Sequence, residues 1–222
     1  MEKSNPFRLM VSGEYACFTR PEMKVERVSY DVMTPSAARG ILEAILWKPA
    51  ISWKILRIDV LRPIRWFSIR RNEVASVVSA KNVSSAMKKG QGKLGTYVDV
   101  GKERQQRAAL ILRDVQYVIH ACFEMTERAG PEDNVTKFQQ MFLRRASKGQ
   151  CFHRPYLGCR EFPADFQLLR QGDEAPPAID EDKELGWMLF DMDYTKKPPV
   201  PTFFRAKLKQ GELDLKDVEV RS

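Results

Sequence analysis

Few residues in this chain can move a proton near neutral pH. There are two histidines, His120 and His153, in 222 residues, and histidine is the side chain whose ordinary pKa lies in that range. The sequence holds no HExxH, no Walker phosphate loop and no GxGxxG. Neither a metal nor a cofactor is expected: Cys151, His153 and Cys159 are spaced wrongly for a zinc loop. One chemistry that so small a set can support is metal-free RNA cleavage. It needs a base for the ribose 2′-OH, a cation at the scissile phosphate and an acid for the leaving oxygen. His120 is the candidate base or acid. His153 sits in a Cys-Phe-His-Arg-Pro loop and is harder to place.

The segment carrying His120 is VQYVIHACFEM. Val115, Tyr117, Ile119, Ala121 and Phe123 alternate with Gln116, Val118, His120, Cys122 and Glu124. That period of two is a strand with one apolar face, and His120 projects from the other. An incidental surface histidine fits the same pattern.

The elements around it are organised on Val28 to Pro49. Thr34 is a good N-cap and Pro35 suits the first helical position. Ile41, Leu42, Ile45 and Leu46 share one helical face, and Pro49 ends the helix soon after Trp47. Gly40 in the helix interior costs about 1 kcal/mol relative to Ala, which predicts a close backbone approach there. FRLMV reads as a first strand, broken at Ser12-Gly13-Glu14-Tyr15. ISWKILRIDVL and IRWFSIRR read as a strand pair around Pro63. Residues 72 to 101 form a long insertion, expected to be mobile, with a short helix near Ser84 to Lys89. ERQQRAALIL, Glu103 to Leu112, reads as a helix.

The resulting order is strand, helix, strand, strand, helix, strand. It predicts an α+β fold: a ferredoxin-like, RRM-like domain over 1–125 with the basic insertion 72–101. The open face of such a sheet is where RRM domains take RNA. Beyond Met125, a polar linker, a helix over Asn134 to Lys148 and short strands at 156–162, 166–169, 186–192 and 202–208 predict a smaller C-terminal antiparallel β extension, 126–222.

Charge is concentrated. Between Arg62 and Arg113 there are twelve Lys/Arg against three acids, a net of +9, whereas the whole chain carries +8. A basic, glycine-containing segment beside an open sheet can track phosphates. Candidate RNA contacts are Arg39 and Trp47 on the first helix, Arg70, Arg71, Lys88, Lys89 and Lys93 in and before the insertion, and Arg104 and Arg107 after it. Trp47, Trp53, Trp66, Phe67 and Tyr97 offer stacking surfaces. No apolar run reaches membrane-spanning length, the N-terminus lacks a signal-peptide core, and the scattered cysteines suit a cytoplasmic protein with reduced thiols.

Longer matches carry more information. GEYACFTRPEMKVERVSYDVMTPSAARGILEAILWKP, NEVAS, RQQRAALILRDVQYVI and YLGCREFPADF resemble, in order, the CRISPR-associated repeat-cleaving protein of subtype I-C, the fifth Cas family, subtype d, in the RAMP superfamily. The resemblance spans nearly the whole chain. It implies a ferredoxin-like domain with a C-terminal sheet, metal-independent cleavage of the repeat hairpin of precursor CRISPR RNA, and retention on the 5′ handle beside other Cas subunits of a type I-C surveillance complex. The family pattern has a tyrosine near the end of the first helix and lysine and histidine on the later strand. Here Leu46 stands at the tyrosine position, and the strand supplies His120 without a lysine. Lys48 or an arginine of the basic loop is then the candidate cation, and Tyr30 a nearby candidate. A non-catalytic handle-binding subunit and a non-specific duplex DNA binder remain alternative readings, since phosphate contacts alone carry no sequence information.

Overall fold

A computed structural model of the chain describes residues 2–23, 25–75, 77–92 and 104–222. Lys93, expected to contact RNA, and Tyr97, expected to stack, lie outside the described residues. The elements are β1 (Phe7–Ala16), α1 (Pro35–Ile45), β2 (Ile51–Val60), β3 (Trp66–Val74), α2 (Ala80–Lys89), β4 (Arg104–Met125), α3 (Val135–Ser147), β5 (Asp165–Leu169), β6 (Lys183–Asp193), β7 (Val200–Leu208), β8 (Glu212–Asp214) and β9 (Val220–Arg221). They fall into two compact units, residues 1–67 with 110–222, and residues 68–109.

In the first unit the strand order is β5-β1-β4-β2-β8, with antiparallel pairs throughout. α1 connects β1 to β2, and α3 connects β4 to β5, so two βαβ units interleave. This is the split βαβ, ferredoxin-like order, and its sheet draws strands from both sides of residue 125. The second helix of that order is α3, not the expected helix over 103–112. Its described part, 104–112, is instead the start of β4. Its residues are good helix formers, but Leu110 exchanges main-chain hydrogen bonds with Arg27 and Ser29, at 2.8 and 2.9 Å. Ala109 and Ile111 are buried while Ala108 and Leu110 are exposed, so tertiary pairing imposes a period of two over local preference.

One face of the sheet carries the helices. Phe7, Trp53 and Phe123 from three strands meet Phe142 of α3, with ring centroids 4.7 to 6.0 Å apart. Ala38, Ile41, Leu42 and Ile45 of α1 are buried. Thr34 caps α1 as expected, accepting from the Ala37 N–H at 3.3 Å. Leu46 is fully buried, and its carbonyl accepts the Trp53 indole N–H at 2.9 Å. Gly40 does not serve a close approach, because a Cβ there would meet nothing within 4 Å. Gly13 does: β1 runs unbroken through it, and a Cβ would lie 2.4 Å from Leu157 Cδ1.

Beyond β5, β6, β7 and β9 form a second antiparallel sheet around Met188, Phe204, Ala206 and Leu208. The strand expected over 156–162 is a turn held by a single bridge, Tyr156 with Pro163. In the second unit, β3 pairs with β4. α2 is capped by Ser79 and ends at the left-handed Gly90, and none of its residues is buried. Among the described residues, no helix is long and apolar enough to cross a membrane.

Candidate active site

Strand register places His120. In β4 it pairs with Arg8 of β1 and with Arg57 of β2, so three polar side chains lie in one row across adjacent strands. The row lies on the face opposite the aromatic cluster, because its neighbours Ile119 and Ala121 face the helices. A register shift between Ile55 and Arg57 makes this possible. Before it, Lys54 faces away from the helices; after it, Arg57 and Asp59 do. Without that β-bulge, Arg57 and Asp59 would point into the core.

The geometry around His120 is closely specified. Its Nε2 lies 2.7 Å from Asp59 Oδ2 and 3.2 Å from Arg57 Nη2. Arg57 Nε is 2.8 Å from Asp59 Oδ1, and its Nη1 is 3.1 Å from Glu212 Oε2. Asp59 is only 9% exposed; its Oδ2 is held by His120 and by Arg57 Nη2 at 3.2 Å, while Oδ1 has the Arg57 Nε charge beside it without a hydrogen bond. A carboxylate only accepts, so Nε2 must carry the proton that faces it. The lone pair is then on Nδ1. Arg57 is neutralised by two carboxylates. Arg8 donates to main-chain oxygens, Arg170 O at 2.6 Å and Asp173 O at 3.0 Å, and keeps its full charge. The row and the neighbouring Asp59 therefore bring together an imidazole, a carboxylate that orients it and a cation.

The other expected catalytic residues do not join it. Tyr30 is 1% exposed beneath the Arg20 guanidinium, 4.5 Å from its ring centroid, and burial pushes its phenol up. Lys48 is half-buried in the turn after α1 and acts electrostatically on Asp133, just before α3. That is the helix side of the sheet, opposite His120. Burial explains Tyr30: flanked by Val32 and Met33, it belongs to the core. His153 is exposed beside its neighbouring aromatics, stacked on Tyr156 at 6.3 Å.

The expected RNA contacts divide similarly. Arg39 is committed to carboxylates, with Glu43 at 2.7 Å and a two-pronged pair to Asp191 at 2.8 Å. It ties α1 to β6, and its fork is unavailable to a phosphate. Trp47 is 62% exposed. In the second unit, Arg70, Lys88, Lys89 and Arg104 are exposed. Arg107 pairs with Glu73 at 3.1 Å, and Arg71 with the same carboxylate at 3.5 Å. Arg8, Arg57 and Asp59 were not anticipated. The imperfect alternation of ISWKILRIDVL was the one trace of the bulge that brings Arg57 and Asp59 to His120. Among the described residues, no group of three His, Cys, Asp or Glu is arranged to hold a metal ion.

The model of the family described as CRISPR-associated protein (Cas_Cas5), Cas5d, matches residues 7–216. The protein named CRISPR pre-crRNA endoribonuclease Cas5d from Mannheimia succiniciproducens is 53% identical over 216 residues, covering 96% of this chain and 95% of that one. Its namesake from Thermus thermophilus is 40% identical over 226 residues, covering 94% and 90%. Two solved structures share the fold at a TM-score of 0.71. One is described as a CRISPR-associated protein, 22% identical, covering 100% of this chain and 99% of that one. The other is a functionally uncharacterized protein, SMU1763c, from Streptococcus mutans, 21% identical, covering 100% of both. With a family match over 7–216 and relatives this similar end to end, the chain belongs to the Cas5d family of CRISPR-associated proteins.

Proposed function

We propose that this protein is a metal-independent endoribonuclease that cuts the repeat hairpin of precursor CRISPR RNA. It then holds the 5′ handle beside other Cas subunits. The 53% identity to a protein named as a pre-crRNA endoribonuclease supports the substrate. The observation that carries the chemistry is the His120–Asp59 contact at 2.7 Å, with Arg8 paired to His120 across the neighbouring strand. His120 Nδ1 takes the proton of a ribose 2′-OH, and the oxygen attacks the adjacent phosphorus. Asp59 faces the imidazolium that forms. The Arg8 guanidinium offsets charge building on the phosphoryl oxygens. The P–O bond to the departing 5′-oxygen breaks and that oxygen takes a proton from water, leaving a 2′,3′-cyclic phosphate and a 5′-hydroxyl; the resulting hydroxide is neutralised by the proton that the imidazolium then gives up. The RNA must hold attacking and leaving oxygens in line, and the hairpin supplies that rigidity.

Single-turnover cleavage of the cognate repeat RNA in EDTA tests this reading. His120→Ala should slow it roughly 10²–10⁴-fold, the usual range for one proton-transfer group, with little change in RNA affinity. A variant that cuts like wild type removes His120 from the mechanism. One observation favours a second reading, a handle-binding subunit without cleavage: Leu46, at the family's tyrosine position, is a buried aliphatic with no proton to move. Tight binding with no cutting by the wild-type protein would establish that alternative.

A further inference from the structure

The YLGCREF segment contributes no group to the site above, yet it builds a second cluster. Gly158, at φ +84°, crosses the end of β1 so closely that a Cβ would lie 2.1 Å from the Cys17 carbonyl oxygen. Only glycine tolerates both the angle and the approach. The turn is clamped by Cys17 N–H donating to Leu157 O at 3.0 Å and Leu157 N–H donating to Phe162 O at 2.8 Å. Cys159 is thereby delivered onto Cys17, across 142 residues of chain.

We propose that Cys159 is a reactive-thiolate site for peroxide-class oxidants, and that Cys17 is the thiol that resolves the oxidised form into a disulfide. Four groups face the Cys159 sulfur. The Cys17 thiol shares the Thr19 hydroxyl with it, 3.5 Å from the Cys17 sulfur and 3.7 Å from that of Cys159, while Arg27 Nη1 lies 3.4 Å away and the Cys17 carbonyl oxygen 3.5 Å. The Cys17 thiol favours the anion most, joined by the Thr19 hydroxyl and the guanidinium. The carbonyl, partial burial and Glu161, which pairs with Arg27 at 3.0 Å, oppose it. The donors prevail and lower the Cys159 pKa to about 6, whereas hydrogen bonding to Cys159 and burial push the Cys17 thiol up. A thiolate beside a cation is the nucleophilic form. Cys159 is half-exposed and Cys17 fully buried, so the oxidant meets Cys159 first.

The Cys159 thiolate attacks one peroxide oxygen, the O–O bond breaks, and sulfenic acid and water form after proton uptake. The Cys17 sulfur then attacks the sulfenic sulfur, an S–S bond forms, and the oxygen leaves as a second water carrying the Cys17 proton. The product links the end of β1 to the 156–162 turn.

The test is peptide mapping of the full-length protein. Alkylation of Cys159 by iodoacetamide should level off just above pH 6. A short unstructured cysteine peptide in the same reaction serves as the reference, with labelling that keeps rising toward about pH 8.5. Hydrogen peroxide should yield a Cys17–Cys159 linked peptide, and in Cys17→Ser a sulfenic acid trapped by dimedone at Cys159. Arg27→Met should move the alkylation profile to higher pH. A Cys159 profile that climbs in parallel with that of the reference peptide overturns the thiolate. A Cys159 that peroxide oxidises without linking to Cys17 overturns the resolving role.

Discussion

Removing the Asp59 carboxylate should invert the histidine rather than merely weaken the site. In the native arrangement Asp59 accepts from Nε2–H at 2.7 Å, which puts the lone pair on Nδ1, the proposed base. Asp59→Ala leaves Nε2 facing Arg57 Nη2 at 3.2 Å, a donor that cannot lose its proton. The favoured tautomer then accepts that bond on Nε2 and carries its proton on Nδ1, where the base should be. Returning to the competent tautomer forfeits a hydrogen bond to a charged group, about 1.5–3 kcal/mol. It also leaves two donors confronted, at about 1–3 kcal/mol more. At about 1.4 kcal/mol per decade, single-turnover cleavage should fall roughly 10²–10⁴-fold, with RNA affinity little changed. The diagnostic is the second substitution. Arg57→Met in the Asp59→Ala background removes the donor that imposes the wrong tautomer, so it should recover at least about tenfold of the rate. A double variant no faster than Asp59→Ala would refute the tautomer assignment. An Asp59→Ala protein as fast as wild type would refute the dyad itself. Arg57 retains Glu212 at 3.1 Å in Asp59→Ala, and both variants should stay folded at the assay temperature, which thermal melting checks.

Three further outcomes rest on the same structure. Thr34→Ala removes the acceptor for the Ala37 N–H and should lower stability by about 0.5–2 kcal/mol; an unmoved melting midpoint would show that the cap carries no weight. Lys88 and Lys89 end the exposed helix α2, and their replacement by Ala should weaken RNA binding and flatten its salt dependence by roughly 0.7–0.9 log units for each phosphate no longer engaged. An unchanged slope in filter binding would place the backbone contacts elsewhere. Burial pushes the Tyr117 phenol above its ordinary value, and Tyr30 shifts the same way. For a group whose folded pKa is raised, stability is complete below the unfolded value, about 10, and is lost as pH rises through the interval above it. Urea midpoints should therefore decline above about pH 10, and Tyr117→Phe should soften that decline; an identical decline in both proteins would exclude Tyr117 as its source.

What the sequence by itself determined is mostly short-range. The cap at Thr34, the stop before Pro49 and the apolar face of α1 depend on neighbours within a turn or two, and each was legible. So was the alternation that puts His120 on the polar face of its strand, because strand geometry alone dictates which side a residue takes. Family membership was legible because whole segments, rather than single motifs, recur in order. Tertiary structure decided what depends on distant partners. RQQRAALIL, from Arg104, has the preferences of a helix and becomes a strand because Leu110 finds main-chain partners at Arg27 and Ser29, far upstream in the chain. Tyr30 and Arg39 had suitable chemistry but lost it to burial and to carboxylates reached only on folding. Asp59 and Arg57 stand beside His120 because one bulge turned them onto its face. Cys17 and Cys159 became a pair because Gly158 could cross a carbonyl where any side chain would collide. Side-chain type sets what chemistry is possible, whereas register and close approach set which groups meet, and these are properties of paired segments rather than of any one of them.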